Sequence, residues 1–283
     1  MSNNPLTGFS RIPKLAIHLP SGGKYSNIKG GQSEMSDEVQ VKAMTGVDEL
    51  HLRNPDALLS GESVAKVIKS CTGISDISNM PNVDVSALLL AIRYASFGRT
   101  MDVEITCPKC STESDLEVDL EGMMGTIQPI ESDFVGTVSE SNLKIKVRPH
   151  AYKTVQKIAL ATFTESKAMQ MIGDVTNAAT LAMFDQSYTN MANLSVETVV
   201  DAIISIALPD GTEITDRSHI KEFIQSEADI DTMKIITDLM EAANKSSYDG
   251  NVNVTCSNKK CKHEWNTEIE VNASNFFGKD SNN

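Results

Sequence analysis

The sequence predicts an α+β fold in which a mostly helical body is inserted between two β-hairpins, with an extended arm at the N-terminus. Two short cysteine pairs, far apart in the chain, each follow the same run of valine, another aliphatic residue and threonine. Between the pairs, most apolar residues recur at helical spacing, and residues 1–36 are rich in Gly, Ser, Asn and Pro. Helical and alternating patterns in separate stretches of a chain are typical of α+β proteins.

The N-terminal third predicts an arm followed by a small α/β region. Residues 1–36 contain "LPSGGKYSNIKGGQS", which predicts turns around short extended pieces. The alternation in "EVQVKAM" predicts a strand from Glu38 to Met44. Two short helices follow, and Asn54 is placed to cap the first, with Pro55 at its opening position. The second helix has one apolar stripe, which places the lone Cys71 in the core: Val64, Val67, Ile68 and Cys71.

The next stretches predict further helices and one strand. In "VDVSALLLAIRYASFG", Asp84 is a candidate cap and Gly98 a natural stop for a helix. The apolar face of that helix comprises Val85, Leu88, Leu89, Ile92 and Ala95. "LKIKVRP" predicts a strand from Leu143 to Val147. Four helices then follow in "AYKTVQKIALATFTESKAMQMIG", "SVETVVDAIISIAL", "DRSHIKEFIQSE" and "DIDTMKIITDLMEAAN", the second ended by a turn at Pro209 to Gly211.

The two cysteine pairs belong to an internal repeat. Val103, Ile105, Thr106 and Cys107 match Val252, Val254, Thr255 and Cys256, and after the second cysteines Glu113 matches Glu264, Val118 matches Ile269 and Leu120 matches Val271. Each unit therefore predicts a strand, a tight cysteine turn and a second strand. The alternating apolar positions are what a hairpin needs to bury one of its faces.

The spacing of the cysteines predicts a structural zinc site. One pair, C-x2-C or C-x4-C, supplies two thiolates, whereas a structural zinc ion takes four ligands in a tetrahedron. Two hairpins packed together supply all four: Cys107, Cys110, Cys256 and Cys261. Three alternatives stay open at this point, namely two disulfides, free thiols and a catalytic metal, and His263 could replace Cys261 as a ligand.

The zinc site in turn predicts how the chain is organised. We expect a split four-cysteine zinc ribbon that clamps the two ends of an insertion. The predicted regions are an extended N-terminal arm over 1–36, a small α/β region over 37–100, the ribbon over 101–122 and 250–272, a mainly helical insertion over 123–249 and a C-terminal tail over 273–283.

Charge and composition argue against several classes of function. The net charge is −13: residues 1–100 hold 10 Lys/Arg against 9 Asp/Glu, so the remaining 15 Lys/Arg and 29 Asp/Glu give residues 101–283 a net −14. An acidic surface repels nucleic-acid phosphates. No stretch approaches the roughly 20 apolar residues of a membrane span. The N-terminus lacks a signal-peptide pattern, and we expect synthesis in a reducing cytoplasm.

No catalytic constellation emerges from the residues. "PSGGK" lacks the length and the following Ser/Thr of a phosphate-binding loop. The five histidines are scattered, and no nucleophile has an adjacent base. The acidic residues Asp115, Glu117 and Asp119 alternate along a predicted strand and should face solvent together. We therefore expect no enzymatic activity and no small-molecule substrate.

Several segments resemble a known family. These are "LPSGGKYSNI", "VQVKAMTGVDELHLRNPDALLSGESVAKVIKSC", "VDVSALLLAIRYASFGRTMDVEITCPKC" and the terminal "SNFFG". In their order and motifs they resemble the baseplate hub subunits of contractile-tailed, T-even-like bacteriophages. The likeness is close over most of residues 17–110 and looser over the C-terminal ribbon. It implies a virion structural protein of the tail baseplate, made in the host cytoplasm, whose partners are other tail proteins or copies of itself.

The resemblance and the residues together leave three hypotheses of different class. The first is a baseplate subunit that acts through protein–protein contacts, for which the adjacent aromatics Phe276 and Phe277 are candidate partner-binding residues. The second is a nucleic-acid-binding or transcription-associated zinc ribbon, which Lys259, Lys260 and Lys262 with Trp265 would suit on a small scale. The third is a zinc enzyme, which would need an open coordination position that four thiolates do not leave. We expect no nucleic acid and no membrane among the partners.

Overall fold

A computed structural model of the chain describes residues 11–25, 38–54, 57–58, 60–131, 133–170 and 178–271. The chain divides into two compact units. The first unit comprises Met1–Asp76, Asp84–Pro129 and Ser246–Asn283, and the second comprises Ile77–Val83 and Ile130–Lys245. The α+β class predicted from the sequence is confirmed.

The described residues form small antiparallel sheets and eight helices of six residues or more. In chain order the strands are β1 (Leu15–His18), β2 (Glu38–Val41), β3 (Thr100–Thr106), β4 (Glu113–Asp119), β5 (Phe134–Thr137), β6 (Lys144–Val147), β7 (Ile203–Ala207), β8 (Glu213–Ile214), β9 (Asn251–Thr255) and β10 (Glu264–Glu268). The helices are α1 (Gly46–Leu52), α2 (Glu62–Thr72), α3 (Asn82–Phe97), α4 (Leu120–Gly125), α5 (Tyr152–Gln170), α6 (Ala178–Ala202), α7 (Arg217–Ser226) and α8 (Ile230–Asn244).

The core of the first unit is built on α2 and α3. The predicted stripe of α2 is confirmed, because Val64, Val67, Ile68 and Cys71 are all buried. Helix α3 is buried on more than the one predicted face, because Ala87, Leu90 and Ala91 are as inaccessible to solvent as the predicted apolar residues. Gly98 ends α3 with a φ of +101°, a backbone conformation that glycine adopts without the steric cost that side chains incur. The stop predicted at Gly98 is therefore confirmed.

Asp84 is not the cap of α3, contrary to the sequence prediction. The helix begins two residues earlier, at Asn82, and the Asp84 side chain is fully buried. Its carboxylate accepts hydrogen bonds from the Ser21 backbone N–H at 2.8 Å and from the Ser21 hydroxyl at 2.5 Å. Asp84 therefore joins the N-terminal turn to α3 inside the first unit.

Two further details of the N-terminal region can be compared with the sequence. The predicted cap is present, because the Ala57 N–H donates to the Asn54 side chain at 3.2 Å, while Pro55 lies outside the described residues. The strand predicted to end at Met44 ends at Val41. Past that point the backbone leaves the β1 partner: the Lys42 N–H donates to the Cys71 carbonyl, and the Met44 N–H donates to Ser96.

The second unit contains a four-stranded antiparallel sheet in the order β5–β6–β7–β8. Helix α8 packs on β5 and β6, α7 packs on α6, and α5 packs on α6. The core is a single cluster dominated by branched aliphatic side chains: Phe134, Val138, Ile145, Val147, Val200, Ile203, Ile206, Ile220, Ile224, Ile236 and Ala243. The second unit covers much of the stretch predicted as a mainly helical insertion, and its helices are observed. The strand predicted from Leu143 to Val147 is confirmed as β6, whereas β5, β7 and β8 were not predicted.

One predicted helix is wrong over its second half. "SVETVVDAIISIAL" was predicted to be helical throughout, yet α6 ends at Ala202 and Ile203–Ala207 form β7. The reason is tertiary: Ile203 and Ile206 pair with β6 across a register shift and are buried in the sheet core. Isoleucine is β-branched and packs well on a pleated surface, so pairing with β6 overrides the helical spacing.

Candidate metal centre

The first cysteine pair lies in the turn between β3 and β4. These strands pair in register from Thr100 opposite Asp119 to Thr106 opposite Glu113. The turn is closed by backbone hydrogen bonds, because the Cys107 N–H donates to the Thr112 carbonyl and the Ser111 N–H donates to the Cys107 carbonyl, both at 2.9 Å. The cysteine turn is therefore held by the hairpin itself.

The second pair lies in the equivalent turn between β9 and β10. Thr255 opposite Glu264 is the last pair before the turn, which matches Thr106 opposite Glu113 in the first hairpin. The Cys256 N–H donates to the His263 carbonyl at 2.8 Å. The internal repeat deduced from the sequence is thus a repeat of structure, with the two extra residues of C-x4-C accommodated inside the turn.

The two turns share a backbone feature that the sequence does not predict. The residue after the second cysteine has a positive φ in each, 54° at Ser111 and 46° at Lys262. Residues other than glycine adopt this left-handed conformation at a cost of roughly 1–2 kcal/mol. No glycine marks either position, so the sequence carried no local signal for it. In each turn this conformation directly follows the second cysteine of the pair, Cys110 or Cys261.

The four cysteine sulfurs converge on one point. All four Sγ atoms lie within 4.8 Å of one another, with 4.0 Å between Cys107 and Cys261 and 3.5 Å between Cys110 and Cys256. A tetrahedral zinc site with Zn–S bonds of about 2.3 Å places its sulfurs about 3.8 Å apart. A disulfide requires about 2.05 Å, so the cysteines are not bonded to each other. The geometry fits one four-coordinate metal ion.

The electrostatics of the cluster also fit a cation. Hydrogen bonds from the side chain and backbone of Thr112 lower the pKa of Cys110 to about 6, whereas desolvation raises the pKa of Cys256 to about 12. Four sulfurs at this separation cannot all ionise without a positive charge between them, because like charges disfavour one another's ionised form. A bound metal ion supplies that charge and deprotonates its thiol ligands outright.

The surroundings of the four cysteines bear on two alternatives, namely His263 as a metal ligand and the cysteine pairs as redox motifs. Within the described ranges, the group of candidate metal ligands at this point consists of the four cysteines and does not include His263. The His263 ring instead stacks on Trp265 with centroids 5.9 Å apart. Both cysteine pairs lie between strands and not at helix N-termini, where a thioredoxin-like redox pair would lie.

The first hairpin presents an acidic face to solvent. Asp102 lies opposite Glu117, and Glu104 lies opposite Asp115, so carboxylates face carboxylates across the strands. The exposed members of this face are Asp102, Glu104, Glu113, Asp115, Glu117 and Asp119. The exposure expected for Asp115, Glu117 and Asp119 is confirmed. Such a face suits solubility and opposes nucleic-acid phosphates.

Close packing beside the second hairpin gives a testable consequence. A Cβ atom at Gly250 would lie 2.5 Å from the carbonyl oxygen of Ile269. The backbone N–H of Ile269 also donates to the Gly250 carbonyl, so the two backbones are in direct contact. We expect Gly250→Ala to lower the free energy of unfolding by about 1–3 kcal/mol, because backbone atoms must shift. Gly125→Ala is the matched control, since nothing lies within 4 Å of a Cβ there. Equal urea midpoints for the two variants would contradict the expectation.

Sequence predictions about binding also concerned the C-terminal aromatic residues, the lysines of the second hairpin and membrane spans. Phe276 and Phe277 lie outside the described residues, so their assignment as partner-binding residues stays a prediction. Lys259, Lys260 and Lys262 are exposed on the turn of the second hairpin. Within the described residues, no helix combines the length and apolar character that crossing a membrane requires.

Comparison with known protein families gives a match. A family model described as "T4 bacteriophage base plate protein" matches residues 12–278, which is nearly the whole chain. Searches of curated proteins and of solved structures returned no match.

Proposed function

Because this chain belongs to the T4 bacteriophage base plate protein family and is therefore a structural protein of the phage tail, we propose that it serves at the hub of the baseplate. Protein–protein contact is the proposed activity, and other tail proteins are the partners. The family match over residues 12–278 carries the proposal. The motifs that resemble hub subunits support the finer assignment, and two of them meet in the fold, because Ser21 of "LPSGG" donates to Asp84 of "VDVSALLLAIR".

Cys107, Cys110, Cys256 and Cys261 are proposed to hold one structural zinc ion. Their mutual distances support this role, and four sulfur ligands are typical of zinc sites that stabilise a fold. The paired ligands are 146 and 154 positions apart in the chain, so binding would hold together two hairpins that are distant in sequence. We propose no catalysis, because four thiolates fill a tetrahedral shell and leave no position for a substrate.

Metal analysis tests the proposed ion directly. We expect the purified chain to contain about one zinc per polypeptide, measured by elemental analysis against protein concentration from amino-acid analysis. Two ions per chain would mean that each cysteine pair has its own ion, which the mutual distances of the four sulfurs oppose. Iron in place of zinc would agree with the four-sulfur site but would change the proposed identity of the metal ion.

Electron microscopy of the assembled baseplate tests the proposed location. We expect density for the first unit, recognisable by its paired hairpins, close to the tail axis at the hub. Density for this chain at the baseplate periphery would overturn the hub assignment and leave the family membership intact. The same map gives the copy number and shows whether copies of the chain contact each other.

A nucleic-acid-binding ribbon is the second candidate, favoured by the exposed Lys259, Lys260 and Lys262. The charges around these lysines oppose it, because the acidic face of the first hairpin belongs to the same unit. We expect no shift of duplex or single-stranded DNA in a gel at physiological salt. Tight binding that weakens steeply with salt would favour this second candidate instead.

A further inference from the structure

We propose that oxidation converts the four-cysteine cluster into a covalent link between the two hairpins, with the first disulfide formed from Cys110 to Cys256. The inference deepens the proposed metal site by assigning its behaviour under oxidation. It rests on the distances between the chain's own sulfurs.

Each hairpin contributes one buried and one more accessible cysteine. Cys107 and Cys256 are buried, whereas Cys110 is exposed and Cys261 is partly exposed. A dissolved oxidant therefore reaches Cys110 first. The Cys256 sulfur lies 3.5 Å from that of Cys110 and belongs to the other hairpin. The remaining two cysteines form a second pair across the hairpins, 4.0 Å apart.

The chemistry balances with hydrogen peroxide as the oxidant. The Cys110 thiolate attacks one peroxide oxygen, the O–O bond breaks, and a sulfenic acid and one water form after protonation. The Cys256 thiolate then attacks the Cys110 sulfur, the S–S bond forms, the S–O bond breaks, and the departing hydroxide is protonated to a second water. The two sulfurs lose two electrons, which reduce one peroxide. A second peroxide joins Cys107 to Cys261 in the same way.

The consequence is that the hairpins stay joined after the metal has left. A tail protein is synthesised in a reducing cytoplasm but works on a virion, where disulfides persist. Oxidation within each pair would leave the hairpins without a covalent link, because neither Cys107–Cys110 nor Cys256–Cys261 bridges them. Oxidation across the pairs replaces the metal ion by a disulfide that joins the same two hairpins. The disulfide from Cys110 to Cys256 closes a loop of 146 positions.

Peptide mapping distinguishes the two pairings without any substitution. Lys109 lies between Cys107 and Cys110, and Lys259 and Lys260 lie between Cys256 and Cys261, so trypsin separates all four cysteines. The full-length chain is treated with hydrogen peroxide, quenched with catalase, alkylated and digested without reductant. We expect the peptide that begins at Cys110 to be joined to the peptide that contains Cys256. Cys71 is the internal control, since it is fully buried and should stay unmodified until the chain unfolds.

Thermal unfolding supplies the second measurement. We expect the oxidised, metal-free chain to melt about 10 °C above the reduced chain treated with a chelator, because closing so long a loop destabilises the unfolded state. A disulfide within either pair would overturn the proposal, as would overoxidation of Cys110 without a cross-link or equal melting temperatures. The mapping is repeated on reduced, metal-free chain. A cross-link there in a protein that never contains metal would refute the metal site and uphold the pairing.

Discussion

Cys107→Ser is expected to abolish binding of the proposed metal ion and to destabilise both hairpins at once. The four sulfurs form one cluster, so removing one ligand weakens a site that the two hairpins share. A ligand present at 1,000 times its dissociation constant stabilises a fold by about 4 kcal/mol, and the variant loses that contribution. Elemental analysis gives the metal content, and hydrogen exchange of β3, β4, β9 and β10 gives the loss of protection.

Two further variants make this result specific. Cys256→Ser changes the other hairpin and should give the same loss, since both cysteines contribute to one site. If each pair held its own ion, either variant would retain half of the metal, which would contradict a shared site. Cys71→Ala is the matched control: it removes a buried cysteine outside the cluster and should leave the metal content unchanged, although a small core cavity lowers its stability.

The two hairpins could be predicted from the sequence because their signals are local and repeated. Each cysteine turn is flanked by alternating strands, and the two copies reinforce each other, as the matching registers at Thr106 and Thr255 show. Helices α2, α7 and α8 could be predicted because their apolar residues recur on one side and their ends have recognisable signals. An example is Asp229, which caps α8 by accepting from the Thr232 N–H.

Apart from β6, the strands of the second unit could not be predicted in the same way. A short apolar run such as Ile203–Ala207 has no period that separates strand from helix, and only its pairing with β6 decides the matter. Strand β5 has four residues, among them Gly136, which has a low strand propensity. The partners of these segments are distant in sequence, so the information lies in tertiary contacts.

The partner of Asp84 could not be predicted from the sequence either, although the helix that contains Asp84 could. Its position before an apolar stripe is typical of an N-cap, but its actual partner is Ser21, 63 positions away. No local pattern reports such a contact. The buried carboxylate that results has an energetic consequence that can be measured.

The stability of the chain is expected to depend on pH through Asp84. Desolvation raises its pKa from 3.8 to about 6, although the hydrogen bonds from Ser21 act in the opposite direction. The folded state therefore binds the proton more tightly than the unfolded state. The contribution of Asp84 is fully present below about pH 4 and is lost as the pH rises through 6. A shift of two pH units corresponds to about 3 kcal/mol.

Asp84→Asn isolates this effect from the other carboxylates. The amide oxygen still accepts from the Ser21 N–H, and the amide N–H₂ can donate to the Ser21 hydroxyl, so the buried contact is kept without a titrating group. We expect the variant to gain up to about 3 kcal/mol relative to the natural chain between pH 4 and pH 7. Urea unfolding of both proteins at several pH values gives the difference. A difference that is constant with pH would show that Asp84 titrates alike in both states, and it would remove buried desolvation as the cause.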